Sequence, residues 1–505
     1  MSDIVLCTFN ARYTHTSIGL RYLYANLKEL QSNATIKEFV INSQVADAVE
    51  TILKENPKIV GVGAYIWNAN EVGEFIEVLK KVAPSIIIVA GGPEASYFPH
   101  RVDFSKADYF IQGEGDIAFY ELCRAILDRD APKSKIIKAD IVDLSKIELP
   151  YKYYSDEDVV NRQCYVEASR GCPYSCEFCL SSLDKKVRKI DTDIFLKEME
   201  ILWDRGVRSF KFIDRTFNQG ITTANRLMDF FLSKEPPYFI HFEVIPDNFP
   251  SSIKKRIKEF PPASLQLEVG IQTLDPKISQ NIYRKLNIEK IRENLEFLEN
   301  ETKAHLHVDL IIGLPGESLE QFGKNLDLLY SMTRCEIQLG ILKKLSGTTL
   351  NRHDEQEGMV YSDRPPYDIL QNNQIPYEMM QKMKRFTRFW DMVYNSGNFK
   401  KSATYLFKDG KVYDGFFAFS EWIYSQTQST WQISLDRLAH LIFNYVIEVL
   451  HIDRDEFKQV MTSDIMVVRG RKLPKFLRVE VENKKSRKQE KNTFNKRQLK
   501  HKDSR

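Results

Sequence analysis

The chain has 505 residues, 43% of them hydrophobic and 12% aromatic, which excludes wholesale disorder and predicts two or three domains, each with its own core. The net charge of +3 is uneven. Lys484 to Arg505 holds ten basic residues against two acidic ones, so the rest of the chain is mildly acidic, at about −5. That tail has one Phe, one Leu and no period. It fits a disordered, solubilising segment (481–505) better than a nucleic-acid contact, although its charge permits one. No window approaches the roughly 20 apolar residues of a membrane span, since the run Leu438 to Leu450 is interrupted by His440, Asn444 and Glu448. The opening MSDIVLCTFN lacks the basic and apolar regions of an export signal, which predicts a cytoplasmic protein.

Residues 1 to 135 alternate β-rich and helical runs: Ile4 to Phe9, Ser17 to Leu30, Ile36 to Ile41, Val45 to Glu55, Ile59 to Ala64, Glu71 to Val82, Ile86 to Ala90 and Tyr109 to Gln112. Such alternation predicts a parallel sheet with helices on both faces, whose ligands sit beyond the carboxyl ends of the strands. Residues 136–163 lose the alternation and read as a linker. Six strand patterns follow within 164–354: Cys164 to Ser169, Ser209 to Ile213, Tyr238 to Val244, Ser264 to Ile271, His305 to Ile312 and Glu336 to Leu342. They fit a partial (β/α)6 barrel with its site again at the strand ends. Residues 355–480 turn mainly helical, most clearly over Tyr377 to Tyr394 and Leu435 to Leu450, with a short run from Met466 to Lys472. Aromatics such as Phe386, Trp390, Tyr394, Trp422 and Trp431 are read mostly as core.

Seven cysteines, three of them within eight residues, point to a metal in a reducing compartment rather than to disulfides. The segment Glu167-Ala-Ser-Arg-Gly-Cys-Pro-Tyr-Ser-Cys-Glu-Phe-Cys-Leu follows a strand, and Cys172, Cys176 and Cys179 have Cys-x3-Cys-x2-Cys spacing. Three thiolates on one loop can hold three irons of a cubane and leave the fourth iron open. No fourth Cys or His follows at the spacing of a structural zinc site. Cys7, Cys123, Cys164 and Cys335 stand singly and read as small buried hydrophobes.

In that spacing, and in Phe178 just before the last cysteine, the sequence resembles the radical S-adenosylmethionine (radical SAM) superfamily. The resemblance implies a 4Fe-4S cluster on the three cysteines, SAM on the open iron, a 5'-deoxyadenosyl radical, and a one-electron reductant such as flavodoxin or ferredoxin. Weaker similarities lie at Phe212-Ile-Asp-Arg-Thr-Phe-Asn, Glu268-Val-Gly-Ile-Gln and Asp309-Leu-Ile-Ile-Gly-Leu-Pro-Gly-Glu. They imply Asp214 and Asn218 near the SAM amino group, Glu268 and Gln272 near the ribose, and Gly313 to Pro315 near adenine. Arg215 departs from the pattern, standing where relatives often carry an acidic or small residue.

A flavodoxin-like domain ahead of such a barrel resembles the cobalamin-binding class of these enzymes, as do Gly91-Gly92-Pro93-Glu94 and Gly113-Glu114-Gly115-Asp116 after the fourth and fifth strands. Paired glycines permit close approach of a nucleotide tail. The stretch Asn10 to Gly19 departs from the Asp-x-His-x-x-Gly motif of cobalamin proteins. The resemblance therefore implies cobalamin held without a protein histidine, with His15, Tyr65 and Trp67 shaping the corrin pocket. The helical C-terminal region resembles an uncharacterised domain that accompanies this class. The function implied is a cobalamin-dependent methyltransferase acting on an unactivated carbon. Alternatives are a radical SAM methylthiotransferase, a non-methylating cobalamin enzyme, or a metal-stabilised cobalamin or nucleic-acid binding module. A methylthiotransferase would favour three further cysteines in the N-terminal domain, where only Cys7 and Cys123 stand.

Overall fold

The computed structural model describes residues 2–408, 410–468 and 470–478; the basic tail read above, 481–505, lies outside the described residues. The chain divides into two compact units. One holds Met1–Arg215 with Lys343–Asn351 and Tyr361–Asp368, and the other Thr216–Leu342, Arg352–Val360 and the chain from Ile369 onward.

The first unit begins with β1 (Ile4–Asn10), α1 (Ile18–Ala25), β2 (Ala34–Val40), α2 (Val45–Leu53), β3 (Ile59–Gly63), α3 (Ala69–Val82), β4 (Ile87–Gly91), α4 (Pro93–Ser96), β5 (Tyr109–Gln112), α5 (Gly115–Leu127) and β6 (Ile136–Lys138). The strands lie in the order β2-β1-β3-β4-β5-β6, all pairs parallel. This is the flavodoxin-like order extended by one strand, with its switch point between β1 and β3. Every residue of β1 and β3 is buried, because apolar helix stripes cover both faces: α2 and α3 on one, α1 and α5 on the other.

Two expectations are corrected here. The helix read to Leu30 stops at Ala25 and gives way to a 3-10 turn over Lys28–Asn33. Asn26 Nδ2 bonds the carbonyls of Tyr22 and Glu148, and Lys28 adopts φ +49, which no helix can continue. β6 falls in the stretch read as irregular, since three residues are too few to show a period.

The first unit continues with α6 (Asp156–Asn161), β7 (Cys164–Val166), β8 (Ser169–Arg170), β9 (Arg188–Lys189), α7 (Thr192–Asp204) and β10 (Ser209–Phe212). β10 pairs parallel with β7, and β8 pairs antiparallel with β9.

The second unit holds α8 (Ile221–Leu232), β11 (Phe239–Val244), α9 (Ser251–Glu259), β12 (Leu265–Gln272), α10 (Pro276–Asn281), α11 (Ile288–Glu301), β13 (His305–Ile312), α12 (Leu319–Met332) and β14 (Glu336–Ile341). β11 to β14 are parallel neighbours in chain order. In β12 and β13 burial alternates strictly. Leu265, Leu267, Val269 and Ile271, and likewise Leu306, Val308, Leu310 and Ile312, form the buried face, so Gln266, Glu268, His305, His307 and Asp309 share the opposite one.

The C-terminal part is helical: α13 (Tyr377–Trp390), α14 (Val412–Thr427), α15 (Leu435–Asn444) and α16 (Arg454–Met466). α13 and α15 each run on into a π turn, over Asp391–Asn395 and Tyr445–Val449. The first π turn has a function in the fold, because it presents Asn395 to β14. Asn395 Oδ1 accepts from Ile337 N–H at 3.0 Å, while Asn395 Nδ2 and Trp390 Nε1 donate to Ile337 C=O at 2.9 and 2.8 Å. Side chains thus satisfy backbone groups of β14 that a further strand would otherwise pair. No helix among the described residues is long and apolar enough to cross a membrane.

Asn395→Ala leaves a buried N–H without its acceptor, a loss of about 2 kcal/mol. The expected result is a lower urea midpoint with unchanged m-value, measured by circular dichroism.

Candidate functional site

Cys172, Cys176 and Cys179 lie on the irregular loop between β8 and β9, beyond the carboxyl end of β7. All three stand outside any disulfide; the first two are buried and the third half-buried. Backbone geometry shapes the loop. Gly171 has φ +90, and a Cβ there would stand 2.4 Å from the Lys186 carbonyl. The Cys172 N–H bonds the Asp184 carbonyl at 2.8 Å and the Cys179 N–H that of Cys176 at 3.1 Å. The Ser182 hydroxyl serves the carbonyls of Cys176 and Cys179, at 2.9 and 2.6 Å. Three soft donors on a loop held by its own backbone fit a cluster with one open iron. Phe178 is half-buried beside Cys179. Cys7 and Cys123 are fully buried, and burial pushes both thiols up; burial likewise lifts Cys164 to about 12. These three behave as apolar packing.

Arg170, two residues before Cys172, carries an ion-pair hub that the sequence reading did not assign. Its NH1 and NH2 donate to both oxygens of Asp116, at 2.9 and 3.0 Å, and its Nε to Glu167 at 2.8 Å. The guanidinium also lies over the Tyr22 ring, 4.6 Å from its centroid. Burial alone would lower the Arg170 pKa, and Glu167 and Asp116 more than reverse that, so it stays charged. Glu167 is raised, because burial and the Asp116 charge outweigh the Arg170 attraction. Arg188, the β9 partner of Arg170, bonds both oxygens of Glu114 and one of Asp184. The two carboxylates of Gly113-Glu114-Gly115-Asp116 are therefore engaged by arginines flanking the cysteine loop. Glu114 also accepts from the Val142 N–H at 2.8 Å.

Asp214 follows β10 and is buried beside the start of the loop. It accepts from the Ala168 N–H at 2.9 Å and the Ser169 hydroxyl at 2.6 Å, and burial lifts its pKa to about 7. Asn218 is fully buried. Its Nδ2 donates to the carbonyls of Ile245 and Asn248, and its Oδ1 accepts from the Ile245 N–H. Both amide hydrogens are thus spent on the turn after β11.

The second unit groups three carboxylates on neighbouring strands. Glu243 is opposite Glu268 in register, and Asp309 is opposite Gly270. Burial first, then Glu268 and Glu243, push the Asp309 carboxyl up; its Oδ1 has no hydrogen-bond partner among the described residues. Glu268 is half-buried and bonded to His241 Nε2 at 3.0 Å. Gln272 stands at φ +72 on a bulge between Gly270 and Gln272, a backbone state rare for a residue with a Cβ and a mark of local strain. Gly313 has φ +88, and a Cβ there would meet Ile369 at 2.9 Å. The Pro315 carbonyl accepts from Asn281 at 3.1 Å. An orphaned carboxyl oxygen on Asp309, with Glu243 and Glu268 on the neighbouring strands, fits the hydroxyls and amine of a nucleoside-like ligand.

At the switch point of the first unit, Tyr65 and Trp67 stack 4.6 Å apart and 5° from parallel, with Trp67 46% exposed. Asn68, buried beneath them, donates to Thr8 Oγ1 and to the carbonyls of Phe9 and Gly63. His15 Nδ1 is taken by the Tyr165 hydroxyl, and burial followed by the charges of Lys211, Arg12 and Arg162 lowers its pKa. Gly91 faces open space, whereas a Cβ on Gly92 (φ +92) would meet the Ala64 carbonyl at 2.6 Å. Gly113 (φ +91) and Gly115 are close to the Ala139 carbonyl and the Leu23 side chain. Pro93 opens α4, and the buried Glu94 accepts from the Tyr367 hydroxyl at 2.6 Å. The open face beside Gly91, Tyr65 and Trp67 fits a flat ring system; Glu94 and Glu114 serve the protein's own hydrogen bonds.

Three family models match the chain: B12 binding domain over 4–123, Radical SAM superfamily over 166–329, and Protein of unknown function (DUF4080) over 355–504. The uncharacterized methyltransferase PH0819 of Pyrococcus horikoshii is 24% identical over 338 residues, 61% of this chain and 72% of its own length. The cobalamin-dependent radical SAM methyltransferase TokK of Streptomyces tokunonensis is 24% identical over 302 residues, 53% of this chain and 44% of TokK. Among solved structures, the cobalamin-dependent S-adenosylmethionine radical enzyme OxsB, with aqua-cobalamin and S-adenosylmethionine bound, superposes with TM-score 0.61 at 12% identity, covering 92% of this chain and 79% of OxsB. A flavodoxin-ordered sheet followed by a three-thiol loop and a run of parallel (β/α) units defines the class. The chain thus carries a B12 binding domain followed by a radical SAM domain.

Arg170→Ala strands two buried carboxylates and is expected to lower stability by about 3–5 kcal/mol in urea titration. A second expectation concerns pH. Asp214 holds its proton in the folded state up to about 7, but only to about 3.9 unfolded, so stability present below that lower value is lost as pH rises through 7. Asp214→Asn lacks this loss. Its melting temperature should gain on the parent as pH rises from 4 to 8, by the equivalent of up to about 4 kcal/mol.

Proposed function

We propose that the protein is a cobalamin-dependent radical SAM methyltransferase acting on an unactivated carbon. One observation carries the reading: three cysteines sit on a loop whose flanking arginine, Arg170, is ion-paired to the first turn of α5, directly after β5 of the flavodoxin-ordered sheet. The methyltransferase names of PH0819 and TokK support it, and the likeness to OxsB supports the fold it requires. In this reading residues 1–135 bind cobalamin, 164–354 form the SAM barrel and 355–480 are an accessory helical domain. Cys172, Cys176 and Cys179 would hold the cluster. Asp214 and Glu268 would meet the amino and ribose groups of SAM, and Tyr65, Trp67 and Gly91 would face the corrin. When bound, these cofactors supply the electron that cleaves SAM and the methyl group that is transferred.

The chain's own residues hold and orient. Arg170 fixes the cysteine loop, Asp214 offers a carboxyl whose charge can be switched on by an ammonium partner, and Asn218 braces the turn after β11. The reading also takes in a one-electron protein reductant and a cytoplasmic setting. The methylthiotransferase alternative loses ground because Cys7 and Cys123 are sealed in apolar cores, where no auxiliary cluster could reach them.

The test is anaerobic reconstitution with iron, sulfide, SAM and hydroxocobalamin. The expected outcome is bound corrinoid together with release of 5'-deoxyadenosine and S-adenosylhomocysteine, both falling to background in Cys176→Ala. Deoxyadenosine without bound corrinoid would remove the cobalamin assignment, and no SAM cleavage at all would remove the whole reading.

A further inference from the structure

At the amino-terminal ends of β13 and β14, opposite the strand ends that carry Gly313 and Pro315, three side chains converge. His305 and His307 are two residues apart on β13 and so face the same side. Glu336 opens β14 as the register partner of His307. His305 Nε2 lies 2.9 Å from His307 Nε2 and 3.1 Å from Glu336 Oε1, and His307 Nε2 lies 3.4 Å from Glu336 Oε2. The imidazoles are 11% and 13% exposed, and the carboxylate is fully buried.

We propose that His305, His307 and Glu336 bind one divalent transition-metal ion, zinc in particular, as a structural site separate from the cysteine loop. The spacing supports this. Ligands about 2.0–2.1 Å from a tetrahedral zinc stand roughly 3.3 Å from one another, and cis ligands of an octahedral ion of that size about 2.9 Å. The three observed separations lie on that scale, and two imidazole nitrogens disfavour calcium, which takes oxygen ligands. Two imidazoles and one carboxylate form a zinc donor set.

A hydrogen-bonded triad explains the contacts less well. If both Nε2 atoms carried protons for Glu336, the two N–H groups would point into each other across 2.9 Å. One cation satisfies all three atoms without a proton. The surroundings suit it as well. The amides of Gln266 and Gln338 flank His307 Nδ1 from the neighbouring strands. Turning either amide over presents its oxygen to an Nδ1–H, the arrangement that commits Nε2 to a metal. At this end of a (β/α) barrel the ion serves stability, tying the edge strand β14 to β13.

The experiment uses the full chain, stripped with chelator, reconstituted with iron and sulfide, given zinc and desalted. Zinc is counted by mass spectrometry and its neighbours are read by zinc-edge X-ray absorption. The expected result is about one zinc per chain with a nitrogen and oxygen shell near 2.0–2.1 Å, a melting temperature raised by zinc, and loss of both in His305→Gln/His307→Gln. Should that variant not fold, the wild-type absorption spectrum and zinc-dependent melting decide alone. Failure to retain zinc, a sulfur shell near 2.3 Å, or zinc persisting in the double variant would overturn the proposal.

Discussion

A guanidinium buried among carboxylates is tolerable only when every charge has a partner, and that constraint organises the first unit around Arg170. Its fork is shared between Glu167, three residues earlier on its own segment, and Asp116, in the first turn of α5. Tyr22 of α1 covers its face. Removing any one of these groups leaves another charged or polar in an apolar setting. The loop that presents Cys172, Cys176 and Cys179 is in this way fastened to two helices of the flavodoxin-ordered sheet. Arg188 repeats the arrangement across the β8–β9 ladder with Glu114 and Asp184, so the loop is anchored where it leaves and where it returns.

The second unit solves a different problem. Strands that bury one face against helices leave the other for polar side chains, and those on β11 to β14 sort along the strands. Glu243 and Asp309 lie toward the carboxyl ends of β11 and β13, with Glu268 at mid-strand between them, and burial together with the charges of Glu268 and Glu243 keeps Asp309 protonated more readily than a free carboxylic acid. His305 and Glu336 open β13 and β14, and His307 is the register partner of both Glu336 and Glu268. One polar face thus carries two adjoining groups: an acidic one suited to amines and hydroxyls, and an imidazole-rich one suited to a metal. Asn395 and Trp390, reaching from the π turn and the end of α13, hold β14 in place beside them.

Much of this was legible from residue order. Strand–helix alternation gave away the parallel sheets, and the β4 and β5 turns with their glycines stood where they were read. Short or interrupted elements were not legible. β6 has three residues, the end of α1 depends on Asn26 bonding a distant carbonyl, and α14 and α16 carry no clean apolar stripe beside the stronger α13 and α15. In the site, the cysteines declared themselves by spacing, whereas Arg170 and Asp116 were read past because their meaning lies in each other. Glu94 and Glu114, which stood beside the glycines as cofactor candidates, have their oxygens engaged by Tyr367 and Arg188.

Sequence alone determined the thiol triad, the order of the α/β units and the kind of chemistry those imply, because each is written in neighbouring residues at fixed spacing. Only the tertiary structure decided which polar groups are spent and which remain. Asn218 is consumed by a turn 27 and 30 residues away, while Asp309 keeps an oxygen without a partner, and His305, His307 and Glu336 meet only because β13 pairs with β14 in that register. Hydrogen bonds and charges act over a few ångströms, and distance along the chain does not reveal distance in space.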